Sequence, residues 1–341
     1  MKQKMIALAV ATVFSTPAFA GTVSSNGDIT LYGKVFLTAD QHDDGVVGHS
    51  SVTRVNSNSS RFGVKGKEDL GDGLTGIFQF EAQFDGDGTG KNGFGNGTRN
   101  SGLGLKGGFG QVILGRWDSP FKVLHNKIEL FDNTTSWSAV NVIGKSEGKD
   151  YNSRHSNQVQ YWSPKFGGVQ AALQYVPDEK KNNGTTPPNQ GNKNIISTSL
   201  TYNMNDFYLS GAYERRNDQV TVGETDNAFR AVGRYNLGDL WVGAMVESIE
   251  TNLSATNSQT GTNWEVVGEY KIDASRIALS YARAGSTATG AAVDNDVSQI
   301  AAKYAYAFSK RTEAFAAYAN KDINKTNSKA NTIGLGIIHK F

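Results

Sequence analysis

The 341-residue chain contains no cysteine and almost no net charge, +2 from 34 Lys and Arg against 32 Asp and Glu. Without cysteine there is no disulfide framework, no thiolate metal site and no cysteine nucleophile. Past the first twenty residues no apolar run approaches the roughly 18 residues of a spanning helix, and a mean hydropathy of −0.43 argues against a helical membrane protein. The five histidines, His42, His49, His125, His155 and His339, form no Ser-His-Asp order and no H-E-x-x-H motif, so no enzyme is expected. His42 and His49 beside Asp43 and Asp44 match no standard ligand spacing, and neither metal nor cofactor is expected.

What the chain does have is glycine, 39 residues of it, spread along the length rather than gathered in one linker, and 38% hydrophobic residues, too many for a disordered chain. Its N-terminus reads as a secretory signal peptide over 1–20. Lys2 and Lys4 precede an uncharged run from Met5 to Phe14, then come Pro17 and the Ala18-Phe19-Ala20 triplet, placing cleavage before Gly21. Removing the segment takes both lysines with it and leaves 321 residues carrying 32 basic and 32 acidic side chains. The mature chain is formally neutral and lacks the cationic excess that nucleic-acid binding requires.

Period-2 alternation recurs throughout. Val169, Ala171, Leu173 and Tyr175 oppose Gln170, Ala172 and Gln174; Phe229, Ala231, Tyr235 and Leu237 oppose Arg230, Val232, Arg234 and Asn236. Such segments are strands with one apolar and one wet face. Sixteen are expected, at 28–40, 60–68, 74–84, 99–106, 111–117, 154–162, 169–176, 194–204, 206–215, 227–237, 240–251, 261–270, 275–284, 297–308, 312–321 and 329–341. Their connectors alternate between short and long, the longest being Asp118–Ser153. A transmembrane barrel with tight turns at one rim and long loops at the other produces that asymmetry, and a barrel of ~16 strands encloses an aqueous channel. The expected fold is therefore all-β, a 16-stranded antiparallel transmembrane barrel over 21–341.

Several stretches carry a family resemblance: GDITLYGKVFLTAD (27–40), SRFGVKGKEDLGDGLTGIFQFE (60–81), GLGLKGGFGQVILGRWDSPF (102–121), NQVQYWSPKFGGVQAALQY (157–175), YAFSKRTEAFAAYA (306–319) and IGLGIIHKF (333–341). Together, in order and from end to end, they resemble the general porins of β-proteobacterial and neisserial outer membranes. The resemblance implies passive diffusion of ions and small hydrophilic solutes through a trimeric barrel whose third extracellular loop folds inward. It also implies a homotrimer set among outer-membrane lipid and lipopolysaccharide, and a terminal Phe341 read by the barrel assembly machinery.

A narrowed channel selects by rings of charge. Asp118, Glu129 and Asp132, early in the longest connector, are the expected acidic side. Arg61, Lys65 and Lys67 share the lumen parity of their strand, opposite Phe62 and Val64, while Lys34, Lys106 and Arg154 oppose Val35, Leu105 and Val159. These six are the expected basic wall, with Arg61 and Arg154 favoured for the eyelet by resemblance, and a weak anion preference follows. The competing readings are a barrel enzyme, a secreted carbohydrate-binding sandwich or adhesin using Trp117, Trp137, Trp162, Trp241 and Trp264, and a channel specific for sugars or organic anions.

Overall fold

The computed structural model describes residues 27–88, 94–146, 149–179, 192–219, 221–288, 295–323 and 328–341. The expected signal peptide lies outside them. The strands are β1 (Gly27–Asp43), β2 (Val52–Ser57), β3 (Arg61–Gly71), β4 (Leu74–Phe84), β5 (Phe94–Thr98), β6 (Ser101–Gly107) and β7 (Gly110–Asp118). After a helix, α1 (Pro120–His125), come the two-residue strands β8 (Lys145–Ser146) and β9 (Lys149–Asp150), then β10 (Arg154–Trp162), β11 (Val169–Val176), β12 (Ile195–Met204) and β13 (Phe207–Asn217). The series ends with β14 (Thr225–Leu237), β15 (Leu240–Asn252), β16 (Ser258–Ile272), β17 (Ser275–Ala288), β18 (Asn295–Ala307), β19 (Thr312–Ile323) and β20 (Ser328–Lys340).

Sixteen of these form one closed antiparallel barrel, as the alternation predicts. β1 closes it: Gly27 to Lys34 pair with Glu68 to Arg61 of β3, and Lys34 to Asp43 pair with Lys340 to Asn331 of β20. Phe341 completes the seam through Gly33 N to Phe341 O (3.0 Å) and Phe341 N to Gly33 O (3.1 Å). Its ring covers Gly33 so closely that a Cβ there would meet Cζ at 2.3 Å.

Two short strands, β2 and β5, lie where long loops were expected. β2 pairs with the end of β1, Leu37 to His42, while β5 pairs with the end of β4. Similarly, β16 begins at Ser258 and β1 runs on to Asp43, beyond the expected ends. The reason is physical: apolar alternation stops where lipid stops, but backbone pairing continues into water. At the other rim the chain reverses in two residues, as at Asp72 and Gly73 with φ of 51° and 75°, the paired positive values of a tight hairpin.

The alternation sorts side chains by solvent. Leu103, Leu200, Phe229, Leu279 and Leu335 are exposed on the outer face, while Gln160, Gln174, Ser197 and Glu214 are buried on the inner one. The largest apolar cluster is inside the barrel. Phe121, Leu124, Ile128, Phe131, Trp137, Val142 and Ile143 of the 119–153 loop pack on Phe36, Met245, Ile249, Phe315 and a row of alanines that includes Ala278, Ala282, Ala301 and Ala305. Those alanines keep the wall thin enough to admit the loop. Each large loop side chain removed from water there contributes about 1.5–3 kcal/mol.

Trp137 lies edge-on to Phe315, centroids 5.8 Å apart, and Phe315 lies against Phe36 at the same spacing. Phe315 fits because Gly336 on the neighbouring strand leaves room; a Cβ at Gly336 would lie 2.2 Å from its ring. Gly336→Val is expected to destabilise the barrel by about 1–3 kcal/mol through overpacking. Urea unfolding of refolded protein, followed by tryptophan fluorescence, measures it against the wild-type midpoint.

Candidate functional site

The loop enters the lumen through a short capped helix. Ser119 Oγ accepts from Lys122 N at 3.1 Å, and Pro120 occupies the first helical position, where a missing N–H costs nothing. Polar pins then hold it to one wall. Arg230 and Glu247, neighbours on β14 and β15 with no exposed side-chain surface, pair at 2.5 Å. Arg230 Nη1 donates to Phe121 O at 3.1 Å, and Glu247 Oε1 accepts from Gly144 N and from Asn263 Nδ2. His125 Nε2 lies 2.8 Å from Glu265 Oε2, Ser146 Oγ bonds Thr251 Oγ1 at 2.7 Å, and Trp137 Nε1 donates to Thr332 O at 3.1 Å.

With the loop seated on the β12–β20 side, the open channel lies against β1, β3, β4, β6, β7 and β10. A polar cavity between the loop and this wall is lined by Arg61, Glu81, Arg99, Asn100, Asp118, Lys122, Asp132 and Arg154, among others. Arg154 Nε is 2.9 Å from Asp118 Oδ1, Lys122 Nζ is 2.7 Å from the same oxygen, and Asn100 Nδ2 donates to Asp118 Oδ2 at 3.1 Å. Beside them on the same wall, Glu81 binds Arg99 at 2.5 Å, accepts from Tyr32 Oη at 3.0 Å and stands 3.8 Å from Arg61. Lys34 pairs with Asp132.

The structure thus brings together Lys34, Arg61, Arg154, Asp118 and Asp132. Asp118 is the last residue of β7 rather than part of the loop. Glu129 reaches the same cavity edge, but its carboxylate is turned into the loop, accepting from Ser138 Oγ at 2.6 Å and Phe131 N at 2.7 Å. Lys65, Lys67 and Lys106 line a different region, towards the tight-turn rim, with Asp28, Thr30, Gln79 and Gln111. Arg154 also arrives by a route that strand parity does not describe, because the β7–β10 register shifts between His155 and Gln158 and Asn157 takes a φ of 56°.

Several lining residues escaped the sequence reading, among them Glu81, Lys122 and Arg99. Glu81 has the parity of Gln79 and Gln83, opposite Phe78 and Phe80, and was legible. Lys122 stands four residues after Asp118, the spacing of a helical ion pair. Arg99 opens the expected strand 99–106 with the outer parity of Leu103 and Leu105, but the structure leaves it between β5 and β6, where strand parity does not apply. The sorting into a basic wall and an acidic loop is correspondingly mixed: the wall supplies Glu81 and Asp118, and the loop supplies Lys122.

Comparison with known proteins gives the same picture. The Gram-negative porin family matches residues 7–326. The chain belongs to the Gram-negative porins. It is 30% identical to the major outer membrane protein P.IB of Neisseria lactamica over 367 aligned positions covering both chains completely, and 30% identical to that of Neisseria meningitidis serogroup A, again over both full lengths. Among solved structures, the anion-selective porin from Comamonas acidovorans superposes with a TM-score of 0.80 at 22% identity, covering 92% of this chain and 100% of that one. A trimer form of OmpT from Vibrio cholerae superposes with a TM-score of 0.70 at 17% identity, covering 93% and 100%. As a porin, the protein is a passive channel of the Gram-negative outer membrane.

One of the pins of the porin's loop is a histidine. Burial weighs most heavily against protonating His125, yet Glu265, with Glu129 behind it, outweighs burial and raises the imidazole above the usual histidine range. Burial likewise holds the Glu129 carboxyl above its ordinary value. A group raised in the folded state stabilises fully below its unfolded pKa and loses that contribution as pH rises through the folded one. Loop anchoring should therefore be strongest below pH 6.5 and weaken above it, by about 1.5–3 kcal/mol when the charged hydrogen bond is lost. Open-channel current noise recorded in planar bilayers should rise with pH in wild type and lose that dependence in His125→Gln.

Proposed function

We propose that residues 21–341, freed of the 1–20 signal peptide, form a homotrimeric diffusion pore that sieves by size and charge and weakly prefers anions. The observation that carries the preference is the cluster of Lys65, Lys67 and Lys106 at the tight-turn side, facing Asp28 as the one carboxylate among the described residues lining that region. Arg61 adds to it, since its nearest carboxylate, Glu81, is held more closely by Arg99. Beside the loop, Lys34, Arg61, Arg99, Lys122 and Arg154 are nearly balanced by acids interleaved among them, so the field there is local and of mixed sign rather than that of a net charge. Such a field orients dipolar solutes without excluding either ion, and the lysines beyond it tip the balance towards anions. The trimeric form of the Vibrio cholerae relative supports the assembly, and the anion-selective title of the Comamonas acidovorans porin supports the sign.

The arrangement serves permeation rather than catalysis, and no enzymatic role is proposed. Phe341, which seals the closing seam over Gly33, is the terminal residue we assign to recognition by the barrel assembly machinery; lipid and lipopolysaccharide surround the outer face. Reversal potentials across a potassium chloride gradient test the proposal: wild type should favour chloride weakly, and Arg61→Glu should move the potential towards potassium. A clear cation preference in wild type, or no shift in the variant, contradicts it.

A further inference from the structure

On the far side of the loop from the channel lies a second polar cavity of about 140 Å³, between loop residue Ser136 and the barrel's closing strands. Its donors come from four strands: His42 on β1, Arg54 on β2, Lys321 on β19 and Thr332 on β20. Gln299 of β18 completes the wall, donating to the loop carbonyls of Trp137 and Ser138 at 2.9 and 3.1 Å. All face the lumen, because Val35, Tyr318, Ile333 and Leu335 occupy the opposite parity.

The charge here is one-sided. Lys321 makes no ion pair or hydrogen bond through its ammonium among the described residues, and the charges bearing on it, Lys145 and His42, are basic groups. Asp322, next in the chain, points to the other face and lies 3.5 Å from Lys329. Asp40 is already taken, one oxygen by Arg54 at 2.7 Å and the other by Asn56 at 2.6 Å. Arg54 spends Nε and Nη2 on Asp40 and Ser136, which leaves Nη1. His42 Nδ1 lies 2.8 Å from Thr332 Oγ1, which leaves Nε2.

A half-buried ammonium without a counter-charge is costly, and a bound anion removes that cost. Donors converging from several directions suit a polyoxygen anion better than a monatomic one, since each oxygen accepts separately. We infer that this cavity binds a small tetrahedral oxyanion of the phosphate class, which bridges Lys321, Arg54 and His42 and ties the constriction loop to the closing strands. The site lies inside the barrel, so free anion rather than lipid headgroup reaches it.

Calorimetric titration of inorganic phosphate into the refolded trimer, in detergent free of lipopolysaccharide and at constant ionic strength in chloride, tests the inference. Saturable binding is expected in wild type, weakened at least tenfold in Lys321→Met and, separately, in His42→Gln, with Arg61→Gln leaving the dissociation constant in place. Two variants are used so that a folding failure in one does not end the test. Wild-type protein showing no saturable phosphate uptake overturns the inference. So does a folded Lys321→Met or His42→Gln variant with wild-type affinity, or loss of binding in Arg61→Gln, which would locate the phosphate in the channel.

Discussion

The buried pair of Arg230 and Glu247 is the contact on which the channel's shape depends. Two charges removed from water cost several kcal/mol each, and their mutual attraction alone does not reliably repay it. Here the pair has a second use. Arg230 holds the carbonyl of Phe121 near the loop's start, and Glu247 holds the amide of Gly144 near its end. One wall feature therefore captures both limbs of a 35-residue excursion, and Asn263 satisfies Glu247 further. Removing either partner would strand a buried charge and release a limb at once.

Seating the loop has consequences on both of its sides. On the packed side, loop aromatics and aliphatics fill the space above a wall of alanines, so that half of the barrel behaves as a protein core rather than as a pore. On the other side the channel is pushed against β1 to β10, where charged side chains are paired and largely buried at its edge. Ion pairs such as Arg99–Glu81 and Arg154–Asp118 orient the guanidinium groups without withdrawing them from solvent completely. Rigid seating and a set of fixed ion pairs beside the channel are thus two results of one packing arrangement.

The barrel was legible in the chain because lipid imposes a binary choice at every second residue, and Leu200, Phe229 and Leu279 obey it while Gln174 and Ser197 do the reverse. Once apolar alternation ends that rule lapses, which is why β2, β5 and the outer extensions of β1 and β16 went unread. Within the site, Lys34 and Arg61 follow parity and pair directly across β1 and β3. Lys65 and Lys67 follow the same parity but lie too far along their strand to meet the loop, since parity gives the face and not the depth. The loop's own seam was hidden for a different reason. Phe121, Leu124, Ile128, Trp137, Val142 and Ile143 keep no single period, although so many large apolar residues in a connector already imply burial.

The absence of cysteine supplies a clean test of the seated loop. Ser146 on the loop and Thr251 on β15 hold their hydroxyl oxygens 2.7 Å apart, so Ser146→Cys and Thr251→Cys together place one oxidisable pair across the seam in a chain with no other thiol. Single-channel conductance and reversal potential, recorded before and after oxidation in the same bilayer, compare the free and locked loops directly. If the loop already rests on this wall, the disulfide forms readily and both quantities stay at their reduced values. A change in either on locking would mean that the conducting channel is shaped by a loop that has left the wall.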